Sequence, residues 1–307
     1  MRDIVGRRKL WFTIPCVVLV VTLVASLVFG VELDINFRGG SLVTYSFEGT
    51  VDKSQFEDTI QQAFGQQISV QEQQDVVTGR TNYVANLSVK EGISPDQQIA
   101  ITSALQEKFP DNKIEVVSTS NVDPAIGRDF FVKSMVAVAA AAVLMILYIA
   151  YRFRRMGGWS AGVFSVVALL HDVMYVFAAF VLFRFPIGDS FIAVALTILG
   201  YSINATIVVY DRIRENKRLL GSKVTVDEVV NVSINQSLTR SINTTVSTVI
   251  AMGTVCVISV IYHVESILVF SLPMLIGMVA GAYSSVCLAG PLWATWQNYK
   301  AAQNKQK

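Results

Sequence analysis

Six stretches of this chain are too long, too apolar and too poor in charge to fold in water, and they limit the possible architectures more than anything else in the sequence. They fall at about residues 10–29, 130–151, 159–183, 190–210, 241–262 and 266–293. Each approaches the roughly 20 residues that a helix needs to cross a bilayer. In hydrocarbon a helix satisfies every backbone N–H and C=O within its own segment, so helices are the expected solution. The fold class is therefore an α-helical polytopic membrane protein with six transmembrane helices. Composition agrees, with 52% hydrophobic and only 16% charged residues, against about 25% charged in a soluble domain. A net charge of +2 with no basic arm gives no reason to expect nucleic acid as a partner.

The first run follows Arg7, Arg8 and Lys9, as a cleaved signal would. Its apolar part exceeds the usual 7–15 residues of a signal, and no A-x-A site follows, so it is read as a retained anchor. Orientation follows from Lys and Arg placement. One side collects Arg2, Arg7, Arg8 and Lys9, then Arg152, Arg154 and Arg155, then Arg212, Arg214, Lys217, Arg218, Lys223 and Arg240, and finally Lys300, Lys305 and Lys307. The short loops of the other side, 184–189 and 263–265, hold only Arg184. Both termini are thus expected on the cytoplasmic side of the membrane. Trp11, Trp159, Trp293 and Trp296 fall at the cytoplasmic ends of spans, where an amphipathic ring is stable. Cys16, Cys256 and Cys287 lie in apolar runs without CxxC spacing and read as small buried hydrophobes rather than metal ligands or disulfides.

Four parts follow: 1–30, the N-terminus and first span; 31–129, an extracytoplasmic domain; 130–296, the other five spans; and 297–307, a cytoplasmic tail. The second part is polar and rich in Gln and Asp. Residues 41–47 alternate and read as a strand. Residues 52–64 carry Phe56, Ile60, Ala63 and Phe64 at helical spacing behind Asp52 as N-cap. Strands follow at 68–76 and 82–89, with Thr78 and Gly79 as the turn. A helix at 94–109 starts on Ser94 and Pro95, and a last strand covers 113–118. The order β-α-β-β-α-β predicts an inserted α+β, ferredoxin-like domain. Residues 212–240 read as the longest internal loop, with a short amphipathic helix capped by Thr225.

Polar side chains at membrane depth are costly, so each is a candidate. His171 and Asp172 sit mid-way in the third span; neighbours point about 100° apart on a helix and cannot share one narrow face. They read either as an ion relay or as a polar packing anchor, in both cases turned away from lipid. In the fourth span Gly200 and Asn204 share a face suited to close approach and interhelical hydrogen bonding. The fifth is entered by Arg240, followed on one face by Thr244, Ser247 and Thr248, which suits a polar groove or a snorkelling arginine. Asp211, Arg212, Arg214, Glu215 and Asn216 mark the exit of the fourth span as a stop signal with local ion pairs. Pro124 and Gly127 suggest a hinge between domain and membrane. Asn36, Phe37, Gly39 and Gly40 form a short motif after the first span, its glycines permitting φ > 0. No phosphate loop, nucleophile elbow, HExxH or dinucleotide fingerprint is present, so neither an enzyme, a cofactor nor an ATPase is expected.

Taken together these residues resemble the SecF family of bacterial protein-export subunits, within the SecD/SecF family and the wider RND-like superfamily. The resemblance rests on GYSxN and VVYDRIREN at 200–216, SLTRSINTT at 237–245, the His171-Asp172 pair, the P-x-x-G turn at Pro124 and the double glycine at 39–40. It implies half of an RND-like transmembrane core. It also implies pairing with a SecD-like subunit, association with the SecYEG channel and with YajC or YidC, and contact with unfolded exported polypeptides and membrane lipid. The work would be driven by a proton or sodium motive force. Two departures stand out. The family motif GxDFxGG has Asp34 at its first glycine and Asn36 at its aspartate here, and the intramembrane aspartate of GYSxNDT is Ala205. The resemblance implies that Arg240 faces that acidic site, so a partner would have to supply the carboxylate, with Asn204 in support, unless Asp172 takes part of the role. The rival readings are half of an RND-type exporter of lipids or small molecules, and a structural subunit without ion coupling.

Overall fold

A computed structural model describes residues 2–65, 68–74, 81–87, 93–221 and 224–305. In chain order the elements are α1 (Arg8–Phe29), α2 (Ile35–Arg38), β1 (Gly40–Ser46), α3 (Lys53–Phe64), β2 (Ile68–Gln74), β3 (Thr81–Leu87), α4 (Pro95–Lys108) and β4 (Glu115–Val122). Then come α5 (Pro124–Arg152), α6 (Gly158–Leu182), α7 (Asp189–Leu220), α8 (Val226–Ile261), α9 (Glu265–Ser284) and α10 (Gly290–Lys305). Among the described residues six helices are long and apolar enough to cross a membrane, α9 and α10 counting as one across the π turn Ser285–Ala289. The expected turn at Thr78 and Gly79, and the strand ends at 75–76 and 88–89, lie outside the described residues.

The inserted domain is ferredoxin-like, with sheet order β2-β3-β1-β4 and every neighbouring pair antiparallel. Local chemistry starts its helices. Asp52 accepts from the Gln55 N–H at 2.9 Å, and Ser94 and Gln97 form a reciprocal capping box ahead of Pro95. Alternation along β1 turns Val43, Tyr45 and Phe47 onto Phe56 and Ile60 of α3 and Ile101 and Leu105 of α4. The buried Tyr83 hydroxyl donates to the Val51 carbonyl at 2.6 Å. The last strand starts later and runs longer than 113–118, because Lys113 is left-handed (φ 44°) and β4 then pairs along the whole of β1.

Several expectations about the spans are revised. Pro124 and Gly127, expected as a hinge, lie in the first turns of α5, which the Asp123 side chain caps at 2.7 Å from the Ala125 nitrogen. Gly127 is needed for close approach, since a Cβ there would sit 2.8 Å from the Gly39 nitrogen. Residues 212–240 are not a long loop. They continue α7 and begin α8, joined through 221–225. Thr225 does cap a helix, but that helix runs unbroken to Ile261. These extensions persist because one face of each is buried: Ile213, Val229, Val230 and Ile234 share a cluster with Trp293. Trp293 is accordingly core rather than interface, 6.5 Å from the Tyr210 ring and with the Lys217 ammonium 5.9 Å from its own. Cys16, expected inside, is exposed on α1.

The N-terminal residues join the same cluster. Ile4 and Val5 are buried, and both their N–H groups donate to Asn231 Oδ1 at 2.9 Å. In the bundle α9 packs on α6, α7 and α8, whereas α1, α5 and α8 turn largely bare apolar faces outward. A Cβ on Gly277 of α9 would meet Val176 and Ile198 at 2.8 Å. Gly277→Leu is therefore expected to overpack the α6–α7–α9 junction and cost about 1–3 kcal/mol. A lower melting temperature of the detergent-purified chain would register this, and an unchanged melt would contradict the packing.

Candidate functional site

The polar residues divide into a buried set and an open set. In the buried set Asp172 is fully enclosed. Its Oδ2 accepts from Ser202 at 2.5 Å and from Ser284 at 2.8 Å, and its Oδ1 lies 2.9 Å from His171 Nδ1. Successive residues thus do touch: both side chains bend toward each other, contrary to the expectation from helical angle alone. The set spans α6, α7 and α9, and Gly281 of α9 makes room for it, since a Cβ there would sit 3.0 Å from Ser202. His171 is buried between the rings of Tyr175 and Tyr283, at 4.6 and 5.6 Å, and its Nε2 has no hydrogen-bond partner among the described residues. Beside it Ser285 in the π turn receives a hydrogen bond from Thr206 at 3.1 Å. A carboxylate satisfied on three sides ties three helices together.

The open set lies on the faces of α7 and α8 that no other helix of this chain covers. Among the described residues nothing lies within 4 Å of where a Cβ on Gly200 would stand, so they show no close helix approach there. Asn204 and Arg240 are exposed, and both line one large cavity on the side of the bundle that carries the termini. Thr244 is exposed one turn along from Arg240, and the Tyr201 and Thr248 hydroxyls bridge α7 and α8 at 2.7 Å. Arg240 makes no hydrogen bond or ion pair among the described residues, and Asp172 is not among its neighbours in the cavity. At the mouth Asp211 pairs with Arg152 (3.1 Å) and Arg214 (2.8 Å), and Arg212 with Glu215 (2.6 Å). Asn216 is buried and donates to Ser233 and Gln236 across the α7–α8 pair. Among the described residues no group of three or more His, Cys, Asp or Glu side chains could hold a metal ion.

At the opposite end the stalk of the inserted domain is fastened to the loop between α6 and α7. Asp34 N–H donates to the Ile187 carbonyl at 3.0 Å, and Ile187 N–H to that of Glu32 at 2.8 Å. Phe37 is buried, 5.3 Å from the Phe131 ring. Gly39 and Gly40 both have positive φ, and a Cβ on Gly40 would collide with the Leu87 carbonyl. Asn36 donates to Asp189 at 3.1 Å, while Asp34 caps α2 by accepting from the Asn36 N–H at 2.9 Å. An aspartate at 36 would put a third carboxylate beside Asp34 and Asp189, so the amide fits these neighbours. Burial holds the Asp34 carboxyl above its usual range; the Asn36 N–H opposes this and the Asp189 charge adds to it.

The folded chain therefore binds that proton more tightly than the unfolded chain. The cost of ionising Asp34 is absent below the ordinary carboxylate range and complete above the raised one. Asp34→Asn, which keeps a good N-cap, is expected to raise the melting temperature near neutral pH and to leave it unchanged in acid. An equal shift at both pH values would contradict this account.

Sequence reasoning missed Glu265, the first residue of α9. Its carboxylate accepts from Lys53 Nζ of α3 at 3.1 Å and from the Glu72 N–H of edge strand β2 at 2.7 Å, beside a bridge between Gln73 and Val264. It is the sole carboxylate of the short 263–265 connection, and that isolation was the available signal. Glu265→Ala is expected to speed amide hydrogen exchange in β2 severalfold and to leave α6 and α9 unchanged. Equal exchange in β2 would show that this contact does not hold the domain.

Comparisons with known proteins agree with this geometry. The family described as "Protein export membrane protein SecD/SecF, C-terminal" matches residues 101–299. The protein translocase subunit SecF of Alicyclobacillus acidocaldarius is 34% identical over 96% of this chain and 93% of its own length. The SecDF of Bacillus subtilis is 29% identical over 96% of this chain, which spans 38% of that longer protein. The crystal structure of SecDF, a translocon-associated membrane protein from Thermus thermophilus, superposes with a TM-score of 0.79 at 27% identity, covering 97% of this chain and 39% of that one. With a full-length SecF relative, the family match across its bundle and the shared fold, this chain belongs to the SecD/SecF family of protein-export membrane proteins.

Proposed function

We propose that the chain is a non-enzymatic accessory subunit of the Sec translocase that pairs with a SecD-like half and couples an ion gradient to late steps of protein export. The observation that carries this reading is the end-to-end alignment with SecF subunits, together with relatives in which the same stretch is two fifths of a SecDF chain. The bare faces of α7 and α8, with Asn204 and Arg240 on them, support a second helical half as the missing neighbour. Lysine and arginine placement supports cytoplasmic termini and an external inserted domain. SecYEG, YajC or YidC, and the exported chains themselves, are further partners on this reading.

Ala205 cannot titrate, and Asp172 is engaged by hydrogen bonds within this subunit's core. The coupling carboxylate is therefore assigned to the partner, where the Arg240 charge would favour its ionised form and Asn204 would support it. A second reading, a structural subunit without ion coupling, is favoured by Ala205 alone. Affinity purification from native membranes tests the assignment: SecD-like and SecY-like subunits should co-purify, and their absence would sink it.

A further inference from the structure

The termini-side cavity holds more cations than the function above uses. Its volume is about 1230 Å3, above the 300–1,000 Å3 or so of common ligand pockets. The end of α5, the turn after it, α7 and α8 line it with seven basic side chains and two carboxylates. Both carboxylates are taken. Asp211 is shared by Arg152 and Arg214, and Glu215 is held by Arg212. Arg240 is assigned above to the partner's carboxylate, and Arg154, Lys217 and Arg218 are left with no carboxylate among the described residues. Arg154 and Lys217 rest instead near the rings of Tyr151 and Trp293, at 5.7 and 5.9 Å. Clustered unpaired cations repel one another, so a bound anion would relieve them.

The walls add a second chemistry. Tyr151, Ile207 and Val208 line the cavity. From its rim the exposed apolar face of α5 continues into the span through Leu147 and Leu144, one and two turns before Tyr151. We propose that this cavity binds the phosphate of an anionic phospholipid, held by Arg154, Lys217 and Arg218, with the acyl chains lying down the α5 face. Basic pockets between helices at the cytoplasmic face suit such headgroups. An acidic protein segment would satisfy the cations but would leave the apolar continuation unexplained. The site is built from this chain's own residues, and only the leaflet that supplies the lipid rests on the orientation proposed above.

The test uses the full chain, purified with its partner and placed in lipid nanodiscs. A photoactivatable phosphatidylglycerol should label peptides covering 151–154 and 214–218, and a photoactivatable phosphatidylethanolamine should not. In complexes purified from native membranes, retained phosphatidylglycerol and cardiolipin should fall by roughly tenfold or more in the Arg154→Gln, Arg218→Gln double variant. They should be kept when both are changed to lysine. Equal labelling by the two lipids, or unchanged retention in the glutamine variant, would overturn the proposal. Loss of labelling on adding inorganic phosphate alone would assign the site to a free anion, and a photocrosslinker at position 154 capturing only an acidic partner segment would assign it to protein; either result also overturns it. The labelling needs no variant, so a glutamine variant that fails to accumulate does not remove the test.

Discussion

Replacing Asp172 with alanine is expected to destabilise the chain by about 3 kcal/mol or more. The side chain is fully buried, and three groups on three helices depend on it: His171, Ser202 and Ser284. Ser284 has a second acceptor in the Gly281 carbonyl at 3.2 Å, whereas the Ser202 hydroxyl donates to Asp172. A buried polar group left without its partner costs about 1–3 kcal/mol, and the vacated volume adds to that. Asp172→Asn keeps a carbonyl oxygen to accept from the serines and should lose much less. Thermal melting of the purified chain in detergent separates the two variants. Alanine melting like the native chain would mean that the network is dispensable. If the asparagine variant both folds and keeps gradient-dependent export, the residue is a packing anchor rather than an ion carrier.

Arg240→Met should act in the opposite way. Arg240 is exposed, lines the cavity and is unpaired among the described residues, so its loss should change stability by no more than about 0.5 kcal/mol, as at most surface positions. Its expected effect appears only in the assembled complex. On the proposed function, a partner carboxylate would lose the charge that favours its ionisation, and gradient-dependent export should fall to the level seen with the gradient dissipated. Arg240→Lys keeps the charge without the planar fork and should recover part of it. Full export by the methionine variant at normal complex abundance would remove Arg240 from the coupling path.

These two residues also show how unevenly the sequence could be read. The inserted domain was legible because its signals are local: Asp52 and Ser94 cap helices, Pro95 opens one, and alternation marks β1. The spans were legible from apolar length alone. Their ends were not, because past the apolar run α7 and α8 are held by tertiary burial of Ile213, Val230 and Ile234, which no local pattern announces. Pro124 looked like a break in sequence, yet a first-turn proline opens a helix as readily as it ends one. The His171–Asp172 contact and the Asp172–Ser284 bond join residues that sequence separation and helical angle keep apart. Glu265 was missed for a similar reason, since its partners Lys53 and Glu72 lie some two hundred residues away in another domain.

Gradient dependence of export in inverted membrane vesicles tests the central claim most directly. Vesicles would be prepared from cells lacking this chain and from the same cells with it restored, and a preprotein would be carried part-way by ATP before the ion gradient is varied. The account predicts that completion depends on the gradient only in vesicles containing the chain, and that Arg240→Met behaves like its absence. Equal completion with and without the chain, at every gradient, would contradict it.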